Sequence, residues 1–243
     1  MRPFLTALLF LYALSLPAMP AHATPPDRVL IFSKTAGFRH DSIPVAVRTL
    51  THLAEAAGMV ADATEDASAF TAANLARYRV VIFASTTGNV LDPAQQQAME
   101  GFIRAGGGFV GVHAAADTEY DWPWYGQLVG ARFHDHPPGL HDSRVQPERD
   151  GVASGAAWPV HDEFYNYDQN PRGRVQVIAT LDERLYAGGG MGADHPIAWH
   201  HAFEGGRAWY TGLGHTEEIY GQAEFLAQLQ RGLRYASGRS DAG

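Results

Sequence analysis

Downstream of Arg28 the chain alternates short apolar runs with amphipathic stretches. Arg28 to Phe32 (RVLIF), Val80 to Ala84 (VVIFA) and Phe109 to Val112 carry almost no polar face. Such runs suit strands of a parallel sheet covered by helices on both sides. Between the first two, Ile43, Val47, Leu50, Ala54 and Ala57 recur at helical spacing, with Ser42 as candidate cap and Gly58 as stop. Met59 to Ala63 predicts a second strand and Thr71 to Tyr78 a short helix. Asp92, Pro93 and Gln95 form a capping-box signature for a helix with Met99, Phe102 and Ile103 on its inner face, ended by Gly106 to Gly108. Strand and helix joined by short connections predict a doubly wound α/β sheet.

The second half is less regular. Trp122 to Val129 predicts a helix, and His134 to His141 a His- and Pro-rich loop expected to be solvated. Val175 to Leu181, Ile197 to His201 and Arg207 to Thr211 predict strands, and Glu218 to Ala236 a closing helix with Phe225, Leu226, Leu229 and Leu233 inward. Residues 237–243 are expected to form a loose tail. At the other end, Arg2 precedes an uncharged, mostly apolar stretch from Phe4 to Leu16, then Pro17 and Ala21-His22-Ala23. This order predicts a cleavable signal peptide over residues 1–23, a single domain over 24–236, and a periplasmic or secreted protein. The apolar stretch falls short of the roughly 20 residues a spanning helix needs, so no membrane partner is expected after cleavage.

A formal net charge of −8 argues against nucleic acid as a partner. The chain has no cysteine, which excludes a thiol nucleophile and Cys-ligated metal. Its 12 histidines and 11% aromatics point instead to a polar, aromatic-lined cleft. In open α/β sheets ligands bind beyond the carboxyl ends of the strands. That rule selects Ser33 to Asp41, Ser85 to Asn89, His113 to Asp117 and Gly212 to Glu217, with Thr35, His40, Thr86, His113 and His215 expected to share one cleft. Gly111-Val112-His113 followed by three alanines has the shape of a nucleophile elbow, which presents the imidazole to that cleft as an exposed group.

Arg39 and Asp41 are candidates for polar ligand contacts, although Asp41 and Ser42 equally suit a helix cap. Trp122, Trp124 and Tyr125 follow the elbow, and Phe164, Tyr165 and Tyr167 follow Asp162-Glu163. Aromatic faces can line a cleft beside carboxylates that accept hydrogen bonds, while large aromatics also fill cores. Asp162 and Glu163 do not form a glycosidase pair, because adjacent residues seldom face one another.

Several long runs carry a resemblance. Ser33 to Ser42 (SKTAGFRHDS), Gly106 to Ala131, Asp162 to Asn166 (DEFYN), His195 to Trp199 (HPIAW) and Gly206 to Thr216 (GRAWYTGLGHT) resemble the ThuA-like family, from about Val29 to Ala236. That resemblance implies a flavodoxin-like, class I glutamine amidotransferase-like three-layer sandwich with a mostly parallel central sheet. It also implies a role in utilising trehalose or related disaccharides through 3-keto sugars. Where amidotransferases place Cys at the elbow, this chain has His113, and their His-x-Glu pair is matched by His215-Thr216-Glu217, so glutaminase activity is excluded. The resemblance makes His113, His215 and Glu217 the catalytic candidates. Thr35, Arg39, His40, Thr86, Asp117, Trp124, Asp162, Glu163 and Tyr165 are the candidates for binding a saccharide. Two uses stay open: a divalent metal held by His113 and His215 with Asp117, Glu217 or another His, or general acid–base catalysis by the same imidazoles. The enzyme expected is a lyase, hydrolase or isomerase; the alternative is a non-catalytic carbohydrate-binding or accessory protein.

Overall fold

The computed structural model describes residues 27–239, so the expected signal peptide over 1–23 lies outside the described residues. The first half runs β1 (Arg28–Phe32), α1 (Ile43–Ala56), β2 (Val60–Thr64), α2 (Ala72–Leu75), β3 (Val80–Ala84), α3 (Pro93–Arg104), β4 (Gly108–Val112) and α4 (Pro123–Val129). The second half runs β5 (Phe133–Asp135), β6 (His141–Arg149), β7 (Val152–Ala153), β8 (Trp158–Asp162), β9 (Asn166–Tyr167), β10 (Gln176–Leu181), β11 (His195–Phe203), β12 (Gly206–Thr211) and α5 (Ala223–Ser237).

The main sheet has the order β2-β1-β3-β4-β12-β11-β10-β6-β7, with β8 also on β6. From β2 to β12 every pairing is parallel, and from β11 onward every pairing is antiparallel. The parallel half carries the α/β sandwich that the sequence predicts. Alternate residues of its strands feed two cores. Ile31, Ile82 and Val110 pack with Leu50 of α1 and Leu229 of α5 on one face. Phe32, Phe83 and Phe109 pack with Ile103 of α3 and Leu128 of α4 on the other. At the start of α3, Asp92 accepts the N–H groups of Ala94 and Gln95 while Gln95 accepts that of Asp92.

Four local expectations change. β6 and β8 were not legible because they are half-buried and carry Pro147 and Pro159; β8 alternates buried and exposed residues strictly. The His134 to His141 run is not all loop, since β5 takes its first two residues and β6 begins at His141. The closing helix starts at Ala223, after a 3₁₀ turn at Glu218–Gly221. The described part of the expected tail is packed rather than loose. Ser237 is buried in α5, and Arg239 donates to Ala57 O and to Asp27.

Helix α5 approaches the sheet where two glycines remove side chains. A Cβ on Gly108 would fall on the Ala236 carbonyl, and one on Gly232 would sit 2.5 Å from the Trp209 indole. Backbone cannot rotate away, so Gly108→Ala is expected to cost about 1–3 kcal/mol, as overpacking does. Urea denaturation of the two proteins checks this; equal midpoints would refute it.

Candidate functional site

The four loops do meet at the carboxyl edge of the parallel strands. Thr35 bridges Thr87, and Gly88 bridges Thr118. The first loop is pinned by Thr87, whose carbonyl accepts Ala36 N–H and whose hydroxyl accepts Gly37 N–H and donates to Phe38 O. Ser42 makes no helix cap. Its hydroxyl donates instead to Gly214 O at 2.9 Å, tying the loop of His40 to the loop of His215.

These ties bring three imidazoles together. His113 Nε2 stands 3.2 Å from His40 Nε2, and the ring centroids of His113 and His215 are 5.3 Å apart. The fourth member is Glu163: its Oε2 lies 3.4 Å from His113 Nε2 and 3.2 Å from His215 Nδ1. One donor atom from each of His40, His113, Glu163 and His215 lies within 4.8 Å of the others.

His113 sits at the elbow with φ 49°, a conformation that costs a non-glycine residue roughly 1–3 kcal/mol and persists only where the surroundings impose it. The elbow forms as expected, but its imidazole is fully buried rather than exposed. Nδ1 lies 2.8 Å from Gly212 O, and a carbonyl only accepts, so Nδ1 donates there and Nε2 is the ring nitrogen that faces the cluster. The ring rests 4.4 Å from that of Tyr165, and Tyr210 OH holds the His113 carbonyl at 2.9 Å.

Asp162 and Glu163 are adjacent yet do different things. Buried Asp162, last residue of β8, accepts Gly214 N–H at 2.7 Å and Thr216 N–H at 2.9 Å, clamping the backbone on either side of His215. Burial raises its pKa against the opposing pull of His113 and those two amides. Glu163 points the other way, into the imidazoles. Burial would raise its pKa, but His113 and His215 overcome that and hold the carboxyl well below the carboxylate range. His215 is raised: burial opposes the charge, and Glu163 outweighs it. Burial, helped by His113 and His215, pushes His40 down to about 3.

Other candidates lie at the rim or elsewhere. Asp117 is half-buried, its pKa raised by burial, and accepts the Tyr120 hydroxyl at 2.5 Å. Thr35 is half-buried, whereas the Thr86 hydroxyl is spent on Thr118 inside the fold. Arg39 is exposed and forked onto Glu65. Trp124 stacks on Trp122 and donates to Glu204, away from the cluster. Glu217 is exposed at the start of a 3₁₀ turn, so the carboxylate beside His215 is Glu163, not Glu217. His136 was expected in a solvated loop, with metal binding together with His134 and His141 as the alternative; its Nδ1 reaches within 3.2 Å of Glu163 Oε1. The His134-Asp135-His136-Pro137-Pro138 run was its signal.

Two outcomes follow. At φ 49° glycine is favoured over alanine, so His113→Gly is expected to be more stable than His113→Ala by about 0.5–1 kcal/mol in urea titrations. The reverse order would mean the elbow relaxes. In the metal-free protein, unfolded His40 binds its proton near 6.5 and the folded residue near 3, so stability falls as pH falls through that window. His215 adds nothing there, because a raised pKa has delivered its full contribution below 6.5. His200 and His201, lowered mainly by burial, act with the same sign as His40. His40→Asn should therefore flatten the pH dependence of unfolding without abolishing it, and an unchanged slope would contradict the burial of His40.

The chain is similar to a ThuA-like protein from Bacteroides uniformis at 23% identity and TM-score 0.73, covering 93% of this chain and 98% of that one. A ThuA-like protein from Parabacteroides merdae matches at 18% identity and TM-score 0.71, covering 90% and 92%. A β-galactosidase from Bacillus circulans matches at 12% identity and TM-score 0.52, covering 87% of this chain but 32% of that one. At these identities the structures speak for the fold alone. No curated protein matches the chain. The family model ThuA, described as trehalose utilisation, matches residues 28–236, and the chain belongs to that family.

Proposed function

We propose that this chain is a metal-dependent enzyme of saccharide utilisation, exported to the periplasm, acting beside a carbonyl or hydroxyl of a disaccharide or its 3-keto form. The observation that carries the reading is the convergence of His40, His113, Glu163 and His215 on one buried point. Zn–N bonds of about 2.0–2.1 Å would set tetrahedral ligands about 3.3–3.4 Å apart, and the nearest donor contacts here are 3.2 and 3.4 Å. His215 Nδ1 lies beside Glu163 yet makes no hydrogen bond, and buried His40 Nδ1 has no partner among the described residues. Three imidazoles and one carboxylate at a single point are a donor set that suits a divalent cation.

A bound divalent ion would act as a Lewis acid on a sugar oxygen. The chain's own residues divide the remaining work. Gly212 O fixes the His113 tautomer so that Nε2 faces inward, the outer-shell arrangement that orients ligating histidines. Asp162 fixes the His215 loop. His136, about one-third exposed and against Glu163, stands between cluster and solvent, where an imidazole can pass a proton. His113 and His215 come within reach of one ligand, which supports catalysis over the binding-only alternative. The family match supports trehalose or a related disaccharide as substrate class, and the Arg2 to Ala23 pattern supports export.

The test is metal analysis of the purified protein, followed by chelation, reconstitution with Zn²⁺ or Mn²⁺, and incubation with trehalose and 3-keto-trehalose. One metal per chain and loss of turnover on chelation are expected. Glu163→Gln should lower metal affinity at least about 10-fold and turnover by about 100-fold or more. Full activity in the chelated protein, or in Glu163→Gln, would overturn the metal reading. Mass spectrometry of the exported protein should find Thr24 at its N-terminus; an intact Met1 to Ala23 segment would overturn the export reading.

A further inference from the structure

A sugar-acting cleft needs an apolar face as well as polar groups, because a pyranose presents C–H bonds on its ring faces and hydroxyls at its edges. The aromatic residues that follow the elbow and Asp162-Glu163 do not supply that face. Trp122, Tyr125, Phe164, Tyr165 and Tyr167 are all buried, and Trp124 is taken up by Trp122, Phe203 and Glu204. Among the described residues the exposed large hydrophobics are Phe38, Tyr120, Leu140 and Leu185, and Phe38 is the most exposed at 65%.

Phe38 is also the one placed on the cluster. Its ring centroid is 4.9 Å from that of His40, at 86°, so one aromatic side chain projects from the cluster into solvent. The position is built rather than accidental. Thr87 holds the backbone of Ala36, Gly37 and Phe38 by three hydrogen bonds. Gly88 packs so closely beneath that a Cβ there would meet Ala36 and Gly37 at 3.2 Å. The neighbouring cation does not screen the ring, because Arg39 is forked onto Glu65. A large apolar side chain fixed in water on a rigid loop forgoes burial, and an exposed aromatic at a polar site is the form that ligand recognition takes.

We infer that Phe38 is the stacking platform of a saccharide subsite, on which a neutral pyranose ring lays its C–H face while its hydroxyl edge meets the His40 cluster. This rests on the reading of the site as saccharide-acting. Calorimetric titration of the purified protein with trehalose, in parallel with Zn²⁺, separates the two. Trehalose should bind the wild type, and Phe38→Ala should weaken it about 3- to 10-fold, the range of an aromatic contact. Phe38→Trp should restore affinity and Phe38→Leu should not, since stacking needs a flat face rather than bulk. Zn²⁺ affinity and the melting temperature should be the same in all four proteins. Unchanged trehalose binding in Phe38→Ala, or full rescue by Phe38→Leu, would overturn the platform alone. Absence of trehalose binding to the wild type would overturn the saccharide reading and this inference with it. Trehalose binding without Zn²⁺ binding would overturn only the metal.

Discussion

Asp162 is the contact on which the site depends. It is a fully buried carboxylate at the end of an antiparallel strand, and it accepts two backbone amides from the loop that leaves the last parallel strand. Charge-assisted hydrogen bonds of this kind are roughly twice as strong as neutral ones, and a buried carboxylate without them would be intolerable. The clamp joins the two halves of the sheet across the site. It sets the path of Gly214 to Thr216, and therefore where His215 points. Ser42 reaches the same loop through Gly214 O, so the His40 loop is registered against it as well.

A second brace runs outward from the Glu163 segment. His195, buried in β11, has Nε2 3.0 Å from Tyr165 O and Nδ1 2.7 Å from Glu183. Glu183 in turn accepts the amides of Met191 and Gly192. The cluster residues thus sit outside the strands and α-helices, yet the stretches that carry them are held by side-chain and backbone acceptors. Preorganisation here comes from carboxylates and carbonyls gripping loops, not from regular secondary structure.

Much of this was legible in the sequence where periodicity is strong. Strands apolar on both faces and the Asp92-Pro93-Gln95 box appear as read, and the Gly-x-His elbow forms, though with its imidazole buried rather than exposed. β6 and β8 lay beyond reach because a half-buried antiparallel strand that carries proline resembles a loop. The histidines could be named from their places after strands, but their number and partner could not. Glu163 stood in the text as a sugar-binding carboxylate and Glu217 as the catalytic one. Choosing between them requires the pairing of β8 with β6, a long-range contact that no local pattern encodes. Ser42 failed as a cap for a related reason: a hydroxyl serves either end of a helix or a distant carbonyl equally well, and only tertiary structure decides.

Charge balance gives the cluster its remaining constraint. Burial disfavours every charged form in it, and the fold answers by keeping His40 neutral, driving it down to about 3, while Glu163 stays ionised beside His113 and His215. Buried Asp162, anchored on two amides, adds a second carboxylate a single residue away. Two carboxylates with neutral imidazoles would leave a negative site inside an apolar sandwich, a costly arrangement without compensation. A divalent cation would supply the matching charge, and neutral imidazoles are the form in which histidine ligates. Without the ion, the same balance falls to protons on the imidazoles, which explains why His215 is raised while its neighbour His40 is lowered. The opposed shifts of two imidazoles 5.0 Å apart come from one carboxylate that the first faces and burial that dominates the second.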